Sequence, residues 1–393
     1  MRIAQVAPLY ESVPPHGYGG TERVVSYLTE ELVRQGHDVT LFASGDSQTS
    51  AELVSICPKA LRTDPSCIDP LAWHLVMLND VFQQAERFDL IHFHTDYLHF
   101  PWARYQPVRH VMTLHGRLDH PDLPPIYRAF PASPVISISQ AQARPLPWLN
   151  WQGTVHHGLP PDLFQFRARP DDYLAFVGRI SPEKRVDRAI EIAERAGMRL
   201  RIAAKVDKSD GDYFREVIEP LFKQPNIEFV GEVGGREKEE FLARARALLF
   251  PIDWPEPFGL VMIEAMACGT PVIAWPCGSV PEILTDGVTG FVVDNIDDAV
   301  AAVGRIDHLD RRGCRQVFDE RFTAERMARD YLAIYERLLA GQGIKKQIEQ
   351  NSLPTRIPSA DGKKHKTAAA GLRSRAAAAM VVSANGRQAH DES

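Results

Sequence analysis

Two glutamates, Glu256 and Glu264, stand eight residues apart in the stretch "DWPEPFGLVMIEAMACGTPVIAW", residues 253–275. A helix beginning near Phe258 would carry Glu264 in its second turn, among apolar neighbours. A buried ionised carboxylate is costly without a partner. Glu256 lies just ahead of that helix, where unpaired N–H groups and the positive end of the helix dipole gather. Eight residues span roughly 12 Å if helical, comparable to the reach from a hexose across a diphosphate to a ribose. One carboxylate could then accept the hydroxyls of a sugar and the other the diol of a nucleoside. The structural alternative is a Glu256 that caps the helix and a Glu264 paired with an arginine.

Other residues suit the same chemistry. In "GRISPEKR" a strand ends at Gly178, and Arg179 and Lys184 follow in the loop before a helix. Two cations near a strand end and a helix N-terminus make an anion site. Arg179 can fork onto phosphate oxygens and Lys184 adds a point charge. The alternative is a solvated loop paired to Glu183. In "PPHGYGGTERVV" Gly17, Gly19 and Gly20 run into a helix, and without Cβ atoms the backbone can approach a ligand closely. Turn formation explains these glycines equally well. The spacing is not G-x-G-x-x-G, which disfavours a nicotinamide site. His92 and His94 share one strand face, with Asp96 close by, but no third ligand stands at a metal-binding spacing. His115 ends the next strand, and a structural role is its alternative. Asp210 to Asp212, "DGD", superficially matches a metal-holding D-x-D, but Asp212 reads better as a helix N-cap.

The elements that must position these groups alternate. Short β-branched runs, "RIAQVAP", "DVTLFAS", "DLIHFH", "HVMTLH" and "PVISIS", and later "YLAFVG", "RLRIAA", "IEFVGEV", "ALLFPI", "TPVIAW" and "TGFVVD", are separated by helical patterns. Several are apolar almost throughout, as strands covered on both faces are. Val24, Val25, Leu28, Leu32 and Val33 form one stripe closed by Gly36, and Val186, Ile190 and Ile192 another closed by Gly197. Such alternation means α/β architecture with doubly wound parallel sheets. The Pro-rich stretch 153–172 reads as a linker between two such domains, and a cleft between them would hold the chemistry.

Gross composition agrees. The chain has 393 residues, 44% hydrophobic and 24% charged, with a formal net charge of −6. The length favours two domains, and the charge offers nothing to nucleic acid. Five scattered cysteines without metal spacing suit a reduced, cytoplasmic protein. The start is not a signal peptide, and no run reaches the roughly 20 apolar residues needed to span a bilayer. "FTAERMARDYLAIYERLLAG" is an amphipathic helix with Thr323 as N-cap and Gly341 after it. Residues 342–393, rich in Ala, Ser and Lys/Arg, read as a disordered tail, and peripheral membrane contact by this basic arm is left open.

"EPFGLVMIEAMACGTPVIA", followed by "VPEILTDGVTGFVV", resembles the E-x7-E signature of the family 4 retaining glycosyltransferases, whose GT-B fold is two facing Rossmann-like domains. The N-terminal stretch "MRIAQVAPLYESVPPHGYGGTERVVSYLTEELVRQGHDVTLFASGDS" looks like the subgroup related to an avilamycin-pathway enzyme. The resemblance covers most of residues 1–340. It implies an acceptor domain over 1–160 joined by a crossing helix at 322–340, and a donor domain over 170–321. It implies that Glu256 contacts the transferred sugar, that Glu264 binds the donor ribose, and that the amides of Phe258, Gly259, Leu260 and Val261 lie by the sugar and phosphates. Arg179 and Lys184 would neutralise the leaving diphosphate without a metal or other cofactor. Gly19 and Gly20 would meet the phosphates from the opposite side, and His115 would contact the donor sugar near the reacting carbon. The expected partners are a nucleotide-diphosphate sugar and an acceptor hydroxyl. A nucleotide-sugar epimerase of similar fold and a non-catalytic nucleotide-sugar binder are the competing functions.

Overall fold

The computed structural model describes residues 1–17 and 19–341. The expected tail over 342–393, with its possible contacts, lies outside the described residues. The first sheet contains β1 (Arg2–Val6), β2 (Asp38–Ala43), β3 (Glu52–Ser55), β4 (Leu90–Phe93), β5 (His110–Thr113), β6 (Val135–Ser137) and β7 (Trp151–Thr154). Its order is β3-β2-β1-β4-β5-β6-β7. The second contains β8 (Leu174–Arg179), β9 (Leu200–Lys205), β10 (Ile227–Gly231), β11 (Ala247–Phe250), β12 (Val272–Ala274) and β13 (Gly290–Val292), in the order β10-β9-β8-β11-β12-β13. Every strand pair is parallel. Parallel strands need crossover helices on both faces, which explains why β4, β5, β6, β11 and β12 are buried along their whole length.

Strand order reverses between β1 and β4 in one sheet and between β8 and β11 in the other. Crevices at such reversals receive the loops leaving the strands' carboxyl ends. The glycine loop follows β1, His115 follows β5, Arg179 ends β8, and Glu256 follows β11. The fold therefore delivers the sequence-selected residues to strand ends.

The helix Gly20–Arg34 buries Val24, Val25, Leu28 and Leu32, while Val33 is only partly covered. The last helix, Ala324–Leu339, begins where Thr323 Oγ1 accepts from Arg326 N at 3.2 Å. Met327, Ala328, Tyr331, Ile334, Tyr335 and Leu338 recur at helical spacing and pack with Ile3, Val24, Leu28, Leu32, Leu90 and Val111. Each large side chain so buried contributes about 1.5–3 kcal/mol. The helix thus docks on the first sheet, although it follows the second in the chain.

The chain passes between the sheets twice, and the two crossings touch. Leu159 N donates to Phe322 O at 2.9 Å, and Ala324 N donates to Leu159 O at 2.8 Å. Gly158 permits this approach, because a Cβ there would lie 2.2 Å from Thr323 O.

Two elements depart from the sequence expectation. β3 and β7 join the first sheet as edge strands where five strands were expected, and β7 occupies the start of the stretch read as a linker.

Candidate active site

The helix Leu260–Ala267 starts two residues later than the sequence suggests, after Gly259 at φ 80°. The loop ahead of it is built rigidly. Ser279 N donates to Glu256 O at 3.0 Å, and Ser279 Oγ donates to Phe258 O at 2.8 Å. Gly278, at φ 58°, presses so close that a Cβ would come within 2.4 Å of both Glu256 N and Glu256 O. The Glu256 backbone is therefore clamped by "CGS", residues 277–279.

Its side chain is clamped as well. Glu256 Oε2 accepts from Trp254 Nε1 at 2.9 Å and is ion-paired with Lys184 Nζ. Lys184 Nζ also lies 4.6 Å from the Trp254 ring centroid, a cation–π contact. Lys184, expected to face phosphate, pairs here with Glu256, the carboxylate expected to face the sugar. The two roles share one place, since a lysine here touches the carboxylate at the mouth of the helix N-terminus.

Glu264 is buried, its side chain 3% exposed, and Lys238 Nζ lies 2.6 Å from its Oε2. That approach lies off hydrogen-bonding geometry, so Oε2 retains an unused lone pair. The structural alternative named an arginine as partner. The partner is a lysine from the helix Gly235–Arg244. Arg179 pairs with Glu183 Oε1 at 2.8 Å and Asp207 Oδ2 at 3.5 Å, so the acidic neighbour foreseen for a solvated loop is present.

The first sheet supplies the opposing wall. A Cβ on Gly20 would meet Leu260 Cδ1 at 3.8 Å, and one on Gly17 would meet Glu232 Oε1 at 3.5 Å. Gly19 is packed instead against Pro15, where a Cβ would lie 2.8 Å from Pro15 Cβ. The glycine loop thus faces the N-terminus of Leu260–Ala267 and the loop after β10. Ser139 Oγ reaches Pro257 O at 2.7 Å, and Glu282 accepts from the backbone of Gln140 at 2.7 Å and of Ala141 at 2.6 Å. Arg117 lies over Trp254 at 5.7 Å.

His115 stands on this wall. Gln142 Nε2 donates to Leu114 O at 2.8 Å and Gly116 O at 2.7 Å, holding the His115 backbone from both sides. The His115 ring stacks on His157 at 5.4 Å, and His157 lies 4.7 Å from Phe258. One run of rings thus joins His115 to the Glu256 loop. Burial pushes the His115 imidazole down to about 3, and burial holds His92, His94 and His157 well below the ordinary range. All four rings are neutral near pH 7.

His92 and His94 are hydrogen-bonded to protein. His92 contacts Tyr335 Oη at 2.7 Å and Thr113 Oγ1 at 2.8 Å, and His94 contacts Gln5 Oε1 at 2.8 Å and His115 Nε2 at 2.9 Å. Asp96 takes the left-handed conformation at φ 49°, and its carbonyl contacts His99 Nδ1 at 3.2 Å. Among the described residues no three His, Cys, Asp or Glu side chains gather as a metal site. Asp212 does not cap a helix. It lies inside the short helix Gly211–Tyr213, whose N-cap is Asp210, and pairs with Arg215.

Sequence reasoning missed Trp254, Lys238, His157, Gln142 and Ser139. Trp254 sat in view beside Glu256, and a tryptophan in a Pro-rich strand-end loop is a usable signal. Lys238 lies in "GREKEEFLAR", where nothing distinguishes it from a solvated charge run.

Comparison with known proteins bears on the whole arrangement. A model of the glycosyl transferases group 1 matches residues 163–317, and one of Glycosyltransferase Family 4 matches residues 18–149. A Klebsiella pneumoniae protein of the cps region, itself uncharacterized, is 31% identical over 170 residues, 42% of this chain and 46% of its own length. The chain thus spans under half of that relative. The uncharacterized glycosyltransferase MJ1607 of Methanocaldococcus jannaschii is 24% identical over 86% of this chain and 98% of its own. AviGT4, a glycosyltransferase of avilamycin A biosynthesis, superimposes with TM-score 0.68 at 24% identity, covering 87% of this chain and 98% of its own. Anabaena Alr3699/HepE in complex with UDP-glucose superimposes with TM-score 0.64 at 18% identity, covering 86% and 99%. Among the described residues no helix is long and apolar enough to cross a membrane. The two facing parallel sheets, the crossing final helix and the two family matches lead to one assignment: the chain belongs to the family 4-like glycosyltransferases of GT-B fold.

Proposed function

We propose that the protein transfers a hexosyl unit from a nucleotide-diphosphate sugar to an acceptor hydroxyl, with retention at the anomeric carbon and without a metal. The observation that carries this reading is the convergence at the start of the helix Leu260–Ala267. There Glu256 with Lys184, and buried Glu264 with Lys238, face the glycine loop of the opposite sheet. A solved relative of the same fold holds UDP-glucose. The free cysteines suit a reducing, cytoplasmic setting.

In this mechanism Glu264 accepts the ribose diol and Glu256 the sugar hydroxyls. The bond from anomeric carbon to diphosphate breaks, and the electron pair leaves with the phosphate oxygen. Lys184, Arg179 and the amides of Phe258 to Val261 stabilise that charge. The acceptor oxygen attacks from the face the diphosphate leaves, and its proton passes to the departing phosphate. His115, neutral, binds a donor hydroxyl rather than contributing charge. Closure of the two walls excludes water that would otherwise hydrolyse the donor.

The test is thermal-shift screening of nucleotide sugars, since binding raises stability by RT ln(1 + [L]/Kd), followed by turnover with and without acceptor. Release of nucleotide diphosphate with a new glycoside of unchanged anomeric configuration is the expected result. An epimerised sugar without acceptor, or binding without turnover that Lys184→Ala leaves intact, overturns the reading.

A further inference from the structure

We infer that Gln5 and His94 are positioning residues that fix the tautomer of His115, leaving its Nδ1 as a bare hydrogen-bond acceptor for a donor-sugar hydroxyl. The inference rests on the reading of His115 as a sugar-facing residue.

Register places the network. Gln5 on β1 pairs with His92 on β4, and His92 pairs with Val111 on β5. At period 2, Gln5, His92, His94, Thr113 and His115 point to the side where the last helix brings Tyr331 and Tyr335. There, Gln5 Nε2 donates to Tyr335 Oη at 3.3 Å and Gln5 Oε1 meets His94 Nε2 at 2.8 Å. Gln5, His92 and Tyr335 are 0% exposed, so water does not substitute for these partners.

The polarity of each bond follows from the one before it. A carbonyl oxygen only accepts, so His94 Nε2 carries the proton donated to Gln5 Oε1. His94 is neutral, which leaves its Nδ1 as an acceptor. The 2.9 Å contact from His94 Nδ1 to His115 Nε2 is then donated by His115. With Nε2 protonated in a neutral ring, His115 Nδ1 is a lone pair, and it is buried with no partner among the described residues. In the other direction Tyr335 Oη, accepting from Gln5, donates to His92 Nδ1, and His92 Nε2 donates to Thr113 Oγ1. Thr113 Oγ1 donates to Tyr331 Oη at 3.1 Å. The carboxamide of Gln5 is the one group whose two ends differ permanently in character, so its orientation sets the direction of the whole row. Turning it over would reverse every bond and convert His115 Nδ1 from acceptor to donor.

The experiment uses the full chain labelled with 15N-histidine, with long-range 1H–15N correlation to the ring protons. His115 is assigned by loss of its signals in His115→Asn. A pyridine-type Nδ1 and pyrrole-type Nε2 at His115 in the wild type are expected. The reverse pattern, or signals averaged over both tautomers, overturns the inference, and this arm needs no mutant to fold. In Gln5→Met the ordering group is lost. The His115 signals should become averaged, and kcat for UDP-glucose turnover should fall roughly 10- to 100-fold with donor KM within about threefold. Tyr335→Phe keeps the Gln5–His94 bond, so the His115 signals should hold their wild-type pattern. A fall in kcat for Gln5→Met with unchanged His115 signals makes these residues structural and overturns the inference. If no nucleotide sugar of the screened panel is turned over, the proposed function fails, while the wild-type nitrogen signals still decide the tautomer.

Discussion

Removing Lys238 should harm the fold more than removing the carboxylate it serves. Glu264 is 3% exposed, whereas Lys238 is 23% exposed, and the two meet at 2.6 Å. At an effective dielectric of about 20, that separation gives a gross attraction of about 6 kcal/mol, most of it offset by desolvation. Lys238→Met leaves a buried charge uncompensated. Breaking a buried pair costs about 3–5 kcal/mol, and water reaching the lysine side puts this one at the lower end, about 3 kcal/mol. For a chain of this size each kcal/mol moves Tm by about 2 °C, so the midpoint should fall by about 6 °C. Glu264→Gln keeps the volume, deletes the buried charge and leaves Lys238 able to reach solvent, so its midpoint should fall by under about 2 °C. The double variant should be more stable than Lys238→Met alone, a non-additivity read directly from a double-mutant cycle. Thermal unfolding by circular dichroism without ligand decides it. Equal losses for the two single variants, or a double variant that sums them, would refute the argument that the carboxylate is the costly partner.

Other expectations are separable from this one. Glu256→Gln and Lys184→Ala each remove a charge-assisted contact and should lower kcat roughly 10- to 100-fold in steady-state assays of nucleotide release. Gly278→Ala should cost at least as much activity while touching no ligand, because its Cβ would displace the Glu256 backbone; wild-type kinetics would refute the clamp. Acid should unfold the protein early. His92, His94, His115 and His157 have depressed values when folded against 6.5 when unfolded. The unfolded chain therefore takes up protons first, and stability falls as pH drops below 6.5 towards 3. Four such sites give a slope of about 5 kcal/mol per pH unit, placing the midpoint at about pH 4–5 by circular dichroism. A fold intact at pH 3.5 would refute the burial of these rings.

The sequence read most clearly where one physical rule dominated. All six strands of the second sheet were legible: β11 and β12 because buried parallel strands are apolar nearly throughout, and the partly exposed edge strands β10 and β13 from their β-branched and aromatic runs. β3, "ELVS", and β7, "WQGT", were not, since edge strands are short, half exposed and free to carry polar residues and glycine. Glu256 and Glu264 stood out because carboxylates beside an apolar helix demand an explanation. Their pairings did not, because Lys238 looks like an ordinary surface lysine in one dimension, and Lys184, singled out as a phosphate-facing cation, comes from a distant element that nothing in the sequence ties to Glu256. Asp212 illustrates the reverse error: an aspartate before a helical pattern suggests a cap, yet the turn began one residue earlier, at Gly211. His92 and His94 were correctly placed on one face, but their neighbours on β1, β5 and the final helix could not be inferred from spacing.

The paired crossings at Leu159 and Phe322–Ala324 have a mechanical corollary. Two covalent ties laid side by side act like a door hinge, not a ball joint: they permit swing about the line they share and resist twist or sliding across it. Phe258 of the Glu256 loop packs on Phe322 at 6.4 Å, so that loop rides close to the shared line and returns to the same alignment with the glycine loop on every swing.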